Sequence, residues 1–289
     1  MTTLTSDYKE TNLIVQSNEL VQHTNWEMNF IPMKLFKGIV SCINTSDPPK
    51  DNRVVIEKQD MYKIVGIDKS KSNYTYLRRQ MESLMQHIIY IQKKDKIVQI
   101  PLVSKVIWDV NKDVVECFFD DEIMPYLIQM QGKYLQYPVT NLTGFSSKYG
   151  LIIYENLLSR VKQYKTSTHI LDIDEIRHIT GTKDKYKKTF DFENRVLNTA
   201  VDDINHANVE FLVKYKTVKR GKSIRSVEFI IRPRTSCLED DYSIIMNPSL
   251  LESTKLDLSA SAKYGKTETE NEEKQFNILR MINMQNVGY

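Results

Sequence analysis

Between Tyr186 and Arg234 the chain sets a two-faced helix directly before a hairpin that is almost entirely positive. From Tyr186 to Asn205, Phe192, Val196, Ala200, Val201 and Ile204 recur every three or four residues, the period of a helix that buries one side. The other side carries Asn194, Arg195, Asn198, Thr199 and Asp202, a row of donors and acceptors suited to base edges in a major groove. Taken alone, this helix is equally an ordinary core helix with a solvated face. The hairpin after it favours the groove. From Lys214 to Arg234 there are eight cations (Lys214, Lys216, Lys219, Arg220, Lys222, Arg225, Arg232, Arg234) against one acid, Glu228. Lysines also blunt exposed strands, but this many like charges in one hairpin repel unless an anion lies nearby. Lys183, Lys185, Lys187 and Lys188 precede the helix, so a phosphate-anchoring surface would flank a base-reading one.

The order of elements predicts an α+β fold made of tandem winged-helix domains. In the first half, Lys58–Val65 reads as a short helix ended by Gly66, and 73–88 as a longer one. Two strand-like runs, 97–108 and 114–119, join through an Asn111-Lys112-Asp113 turn. The second half repeats that order. A helix capped by Ser146 or Ser147 leads to a short strand at Ile170–Leu171. A short helix opening on Asp172 and Glu175 ends at Gly181, and the two-faced helix and its hairpin come next. The blocks expected are a flexible N-terminus over 1–18, a first winged helix over 19–132, a second over 133–235, and a partly disordered tail over 236–289. The connector is the Gly-, Pro- and Asn-containing stretch 132–144. Phe276, Leu279 and Ile282 are spaced for a short amphipathic helix in the tail.

Composition narrows the chemistry. The net charge is only +3, so a nucleic-acid surface has to be local. Three widely spaced cysteines, Cys42, Cys117 and Cys237, point to a reducing cytoplasm and against a zinc site. No apolar run spans a bilayer, and no membrane association is expected. With nine glycines and no Gly-x-x-x-x-Gly-Lys run there is no nucleotide cradle. His23, His87, His169, His178 and His206 are scattered and read as surface or helix-flank residues rather than metal ligands. No catalysis, cofactor or metal is expected.

Three segments carry a resemblance: SSKYGLIIYENLLSR, LDIDEIRHITGT and YKKTFDFENRVLNTAVDDIN, followed by the hairpin that ends VEFIIRP. Together they resemble the plasmid replication initiators of the two-winged-helix Rep type, found on iteron-bearing bacterial plasmids. Ser147, Tyr154, Glu155, Tyr186, Phe192, Arg195, Val196, Leu197, Ala200, Ile204 and Asn205 fill the motif's places. The likeness is specific over residues 140–233, looser over 20–120, and does not extend to the tail. It implies a protein that binds repeated origin sites in duplex DNA, opens the origin, recruits the host initiator and the replicative helicase, and represses its own promoter at an operator. The second domain would be the principal reader. The first, through Arg78 and Arg79, would touch neighbouring backbone and mediate a monomer–dimer equilibrium. Lys188 falls where the family has a basic contact. Family members carry several arginines around this segment, whereas Glu193 and Asn194 precede Arg195 here, so the base contacts are expected to differ, with Asn194 or Asn198 the candidates for adenine. The DNA-binding set expected is Lys183, Lys185, Lys187, Lys188, Asn194, Arg195, Asn198, Lys219, Arg220, Lys222, Arg225, Arg78 and Arg79. Two other readings stand beside it: a winged-helix transcriptional repressor with no replication role, and a non-DNA interaction module using the basic hairpin.

Overall fold

The structure, a computed structural model, describes residues 5–93, 95–109, 111–128, 133–221 and 223–234. Lys222 and the tail over 236–289, including the helix expected around Phe276, lie outside the described residues. In chain order the elements begin with β1 (Leu13–Ser17), α1 (Asn18–His23), α2 (Phe30–Val40), β2 (Arg53–Glu57), α3 (Lys58–Val65) and α4 (Lys71–Met85). Four strands come next: β3 (Ile88–Lys93), β4 (Lys96–Pro101), β5 (Val103–Trp108) and β6 (Val114–Phe119). Then come α5 (Pro125–Ile128), β7 (Tyr134–Pro138), α6 (Asn141–Gly144), α7 (Lys148–Tyr164), β8 (Thr168–Asp172) and α8 (Ile173–Ile179). A further helix is built of α9 (Thr189–Phe192), a π-turn (Glu193–Asn198) and α10 (Thr199–His206), and β9 (Phe211–Arg220) and β10 (Ser223–Pro233) form the last hairpin.

Among the described residues two compact units share these elements: 5–159 with 174–207, and 160–173 with 208–234. The partition cuts across the expected sequence blocks, because the helices between 174 and 207 are fastened to the loop that follows α1. The amide of Trp26 donates to the Ile179 carbonyl (3.1 Å). His178 Nε2 donates to the His23 carbonyl (3.0 Å). At Gly181, whose φ is +62°, a Cβ would come within 2.7 Å of the Glu27 Cα, so the residue that ends α8 must be glycine on two counts.

In the larger unit β2, β6 and β5 form an antiparallel sheet in the order β2-β6-β5, and β3 pairs with β4. Gly66 ends α3 in the left-handed region as expected, at φ 84°. The structure corrects four local readings, one of them the single run read over 97–108, which is two strands, β4 paired with β3 and β5 paired with β6. Residues 13–17 are not loosely held: they form β1, antiparallel to β7 with Val15 opposite Gln136, and Ile14 is fully buried. The same pairing turns part of the expected connector into strand. The helix read over 73–88 stops at Met85, and Ile88 opens β3. Strand β1 escapes local reasoning because its partner lies about 120 residues away, and Ile88 because it continues the apolar period of α4 into a β-branched run.

A buried polar network ties the larger unit together. Lys37 on α2 and Glu155 on α7 pair at 2.9 Å with relative exposures of 0% and 1%. Lys37 Nζ donates to Gln16 Oε1 (2.7 Å), Gln16 Nε2 donates to Glu155 Oε1 (3.1 Å), and the Tyr137 hydroxyl donates to the same carboxylate oxygen (2.6 Å). The Lys37 ammonium also stands 4.3 Å from the centre of the Trp26 ring. Burial pulls the Lys37 amine below its ordinary range, and Glu155 opposes that shift.

In the smaller unit β8, β10 and β9 form one antiparallel sheet, with β10 in the middle. His169, expected at the surface, is a buried strand residue whose Nε2 donates to the Thr166 carbonyl (2.9 Å). Burial, more than nearby Arg160, pushes its pKa down to about 4. Between the ordinary value near 6.5 and about 4 the unfolded chain binds a proton that the folded chain refuses, so stability rises with pH across that window. The expected result is full stability above pH ~6.5 and a loss of up to about 3 kcal/mol by pH ~4. Chemical denaturation at several pH values checks it, and the acid slope should flatten in His169→Gln.

Candidate nucleic-acid interface

The helix from Thr189 to His206 buries Phe192, Val196, Leu197, Ala200 and Ile204 completely. Asn194 and Arg195 are exposed, and Asn198 is half-buried. The polar row read from the sequence is therefore the outer face. Its phase differs from a uniform α-helix: Leu197, left off the buried face by the sequence reading, is fully buried, while Val201 is only half-buried. The π-turn over Glu193–Asn198 is the reason, since each of its residues advances less than the ~100° of an α-helix and swings Leu197 inward. The turn coincides with the candidate base-reading residues. Asn198 Nδ2 donates to Asn194 Oδ1 (3.0 Å), and Thr199 Oγ1 donates to the Asn194 carbonyl (3.2 Å). A carboxamide oxygen has a second lone pair, so Asn194 so oriented still offers one acceptor site and its NH2 to an adenine edge.

Two side chains that sequence reasoning missed set this helix in place. Asp203, seen from the sequence only as half of an acidic pair, is buried at 7% exposure and faces the start of α7. Its Oδ1 accepts from the Ser146 amide (2.9 Å) and hydroxyl (2.7 Å), and its Oδ2 from the Ser147 amide (2.9 Å). Ser147 caps α7 as expected, its Oγ accepting from the Tyr149 amide (3.1 Å). Arg177 on α8 closes the turn between α8 and α9. Its Nη1 donates to the carbonyls of Thr182 (3.1 Å) and Lys185 (2.8 Å), its Nη2 to that of Tyr186 (3.0 Å), and its Cζ lies 4.1 Å from the centre of the Phe192 ring. No signal in the sequence pointed to this role for Arg177.

The cations are distributed unevenly. Lys183, Lys185, Lys187 and Lys188 are all exposed. Lys185 also meets Glu27 at 3.5 Å, so a phosphate would compete with that carboxylate. Lys148, at the start of α7, donates to the Met28 carbonyl (3.2 Å). Burial, aided by Lys185, pushes its amine down to about 8. Arg78 and Arg79 are exposed on α4. In the other unit, Lys219 and Arg220 are exposed near the hairpin tip. Lys216 lies opposite Glu228, the hairpin's one acid. The register slips between Ile224 and Ser226, leaving exposed Arg225 as the extra residue of a β-bulge, a device that re-aims a side chain. Arg234 Nε donates to the Val209 carbonyl (3.1 Å) and serves the fold.

Among the described residues no group of three or more His, Cys, Asp or Glu side chains is placed to hold a metal ion. No described helix is long and apolar enough to cross a membrane.

Two helix-and-hairpin blocks, the second presenting a polar helix face and a basic hairpin, define a tandem winged-helix protein. The comparisons with known proteins agree: the family model described as "Initiator Replication protein, WH1" matches residues 13–158, and the one described as "Initiator Rep protein, WH2" matches 172–231. The chain belongs to this replication initiator family. It is 24% identical over 231 residues to a replication initiation protein of Escherichia coli, spanning 77% of this chain and 68% of that one. The crystal structure of the Pi initiator protein in complex with iteron DNA shares the fold with a TM-score of 0.63 at 17% identity, covering 79% of this chain and all of that one.

Proposed function

We propose that this initiator binds repeated origin sites in duplex DNA, with the helix over 189–206 in the major groove and the last hairpin on phosphates. The observation that carries the reading is the outward face of the π-turn, where Asn194 and Arg195 are exposed over a fully buried apolar row. The iteron DNA named with the Pi initiator points the same way. Lys183, Lys187 and Lys188 contact backbone ahead of the helix, Lys219, Arg220, Lys222 and Arg225 do so from the hairpin, and Arg78 and Arg79 add an auxiliary contact. The first block, 19–132, carries a monomer–dimer equilibrium, and the second, 133–235, is the principal reader. The bound protein opens the origin, engages the host initiator and helicase in the cytoplasm, and represses its own promoter, all by binding rather than covalent chemistry.

Footprinting on the DNA flanking its own gene, across a salt series, tests this. Protection of several repeats of about 20 base pairs, set near whole helical turns, is expected. A single protected operator would leave a repressor, and preference for single-stranded RNA over duplex would end the proposal. Replacing Lys219, Arg220 and Lys222 together by glutamine should lower the log-affinity against log-salt slope by about 2.7 if each meets one phosphate. An unchanged slope removes the hairpin from the interface.

A further inference from the structure

Tyr186 is where several restraints on the turn before the reading helix meet. Its backbone stands at φ 49°, in the left-handed region that a bulky aromatic residue adopts only under strain. Arg177 holds it there, donating to the Tyr186 carbonyl at 3.0 Å and to the preceding Lys185 carbonyl at 2.8 Å. The Tyr186 phenol is hydrogen-bonded to that of Tyr149, in the first turn of α7. The Tyr186 ring faces Arg195, whose Cζ lies 5.8 Å from the ring centre. Glycine or asparagine would meet the backbone demand at lower cost. The turn alone therefore does not account for a tyrosine here, whereas its ring contact with Arg195 does.

We infer that Tyr186, held by Tyr149 and Arg177, is a positioning residue that orients Arg195 toward the DNA and so sharpens the helix's choice of base. The inference rests on the reading of Arg195 as a base contact. An exposed arginine samples many rotamers and must surrender them to meet a guanine edge with two parallel hydrogen bonds. A ring beneath the guanidinium removes part of that cost before DNA arrives, because the planar cation is attracted to the aromatic face. The ring is itself fixed at both ends, by the phenol–phenol bond and by the clamped carbonyl.

The test measures Kd on a duplex carrying the repeat footprinted beside the gene and on a scrambled duplex of the same composition. It uses the full chain as wild type, Arg195→Ala, Tyr149→Phe, Tyr186→Asn and the Tyr186→Asn/Arg195→Ala double variant, each with its Tm. Arg195→Ala should lower the ratio of specific to scrambled affinity. Tyr186→Asn should lower it about three- to tenfold with Tm held or raised, since asparagine tolerates the left-handed backbone. Tyr149→Phe, which keeps both rings, should lower it by about twofold. In the double variant the asparagine should add no further loss. If Arg195→Ala leaves the ratio unchanged, the base-contact reading falls and the positioning role with it. If Arg195→Ala lowers the ratio but Tyr186→Asn does not, weakens both duplexes equally, or adds its full loss without Arg195, the positioning role alone is overturned.

Discussion

Replacing Lys37 by methionine should cost about 3–5 kcal/mol. Methionine fills a similar volume, so the loss is not chiefly a cavity. It comes from stranding the Glu155 carboxylate, which is 1% exposed and would keep only the Gln16 and Tyr137 donors. Strand β1, through Gln16 Oε1, and helix α7, through Glu155, would each lose their partner on α2. Urea denaturation measures it as a lower midpoint at constant slope. The control is Lys37→Met/Glu155→Leu, which removes both charges and should recover much of the loss, because a buried pair is costly to halve but cheap to replace whole. A single variant within about 1 kcal/mol of wild type would mean that water reaches the carboxylate.

Gly150→Ala should also be damaging, and it runs against the usual sign. In a helix interior alanine is favoured over glycine by about 1 kcal/mol. At this position on α7 a Cβ would overlap Asp203 Oδ2 and lie 2.7 Å from the Asp203 Cβ and Cγ. The carboxylate must then move, releasing the Ser146 and Ser147 amides it holds. Overpacking and the loss of these buried hydrogen bonds together are expected to cost about 2–4 kcal/mol. Asp203 lies on the helix proposed to enter the groove, so on that proposal DNA affinity should fall with stability. Adding Asp203→Ala should cost less in the Gly150→Ala background than in wild type, since the contact is already broken. Additive losses would place the damage elsewhere.

These two positions also show what the sequence disclosed and what it withheld. Elements bounded by local chemistry were legible: α3 with its Gly66 stop, the β5–β6 hairpin around Asn111, and the polar face of Asn194 and Arg195 set by helical period. Pairings across the chain were not. Nothing near Gln16 announces a strand opposite Gln136, and nothing near Lys37 announces a carboxylate on α7. The π-turn left no mark in hydrophobic spacing beyond Leu197, which a uniform helix would have turned away. For the candidate interface, the exposure of Asn194 and Arg195 was read correctly from periodicity. Around them, Arg177 acts on carbonyls in the turn just after its own helix, while Asp203 and Tyr149 act across separate segments, contacts that hydrophobic spacing does not encode.

The fastening of α8 to the loop after α1 bears on how such proteins can be recombined. Trp26 and His23 supply the donor and acceptor that anchor Ile179 and His178, and Glu27 leaves no room for a side chain at position 181. A chimera that grafts residues 173–206 onto the front half of another initiator keeps this seat only if residues 23–28 travel with them. If the helix over 189–206 chooses the repeat as proposed, transplanting that choice means moving it together with a loop some 150 residues upstream.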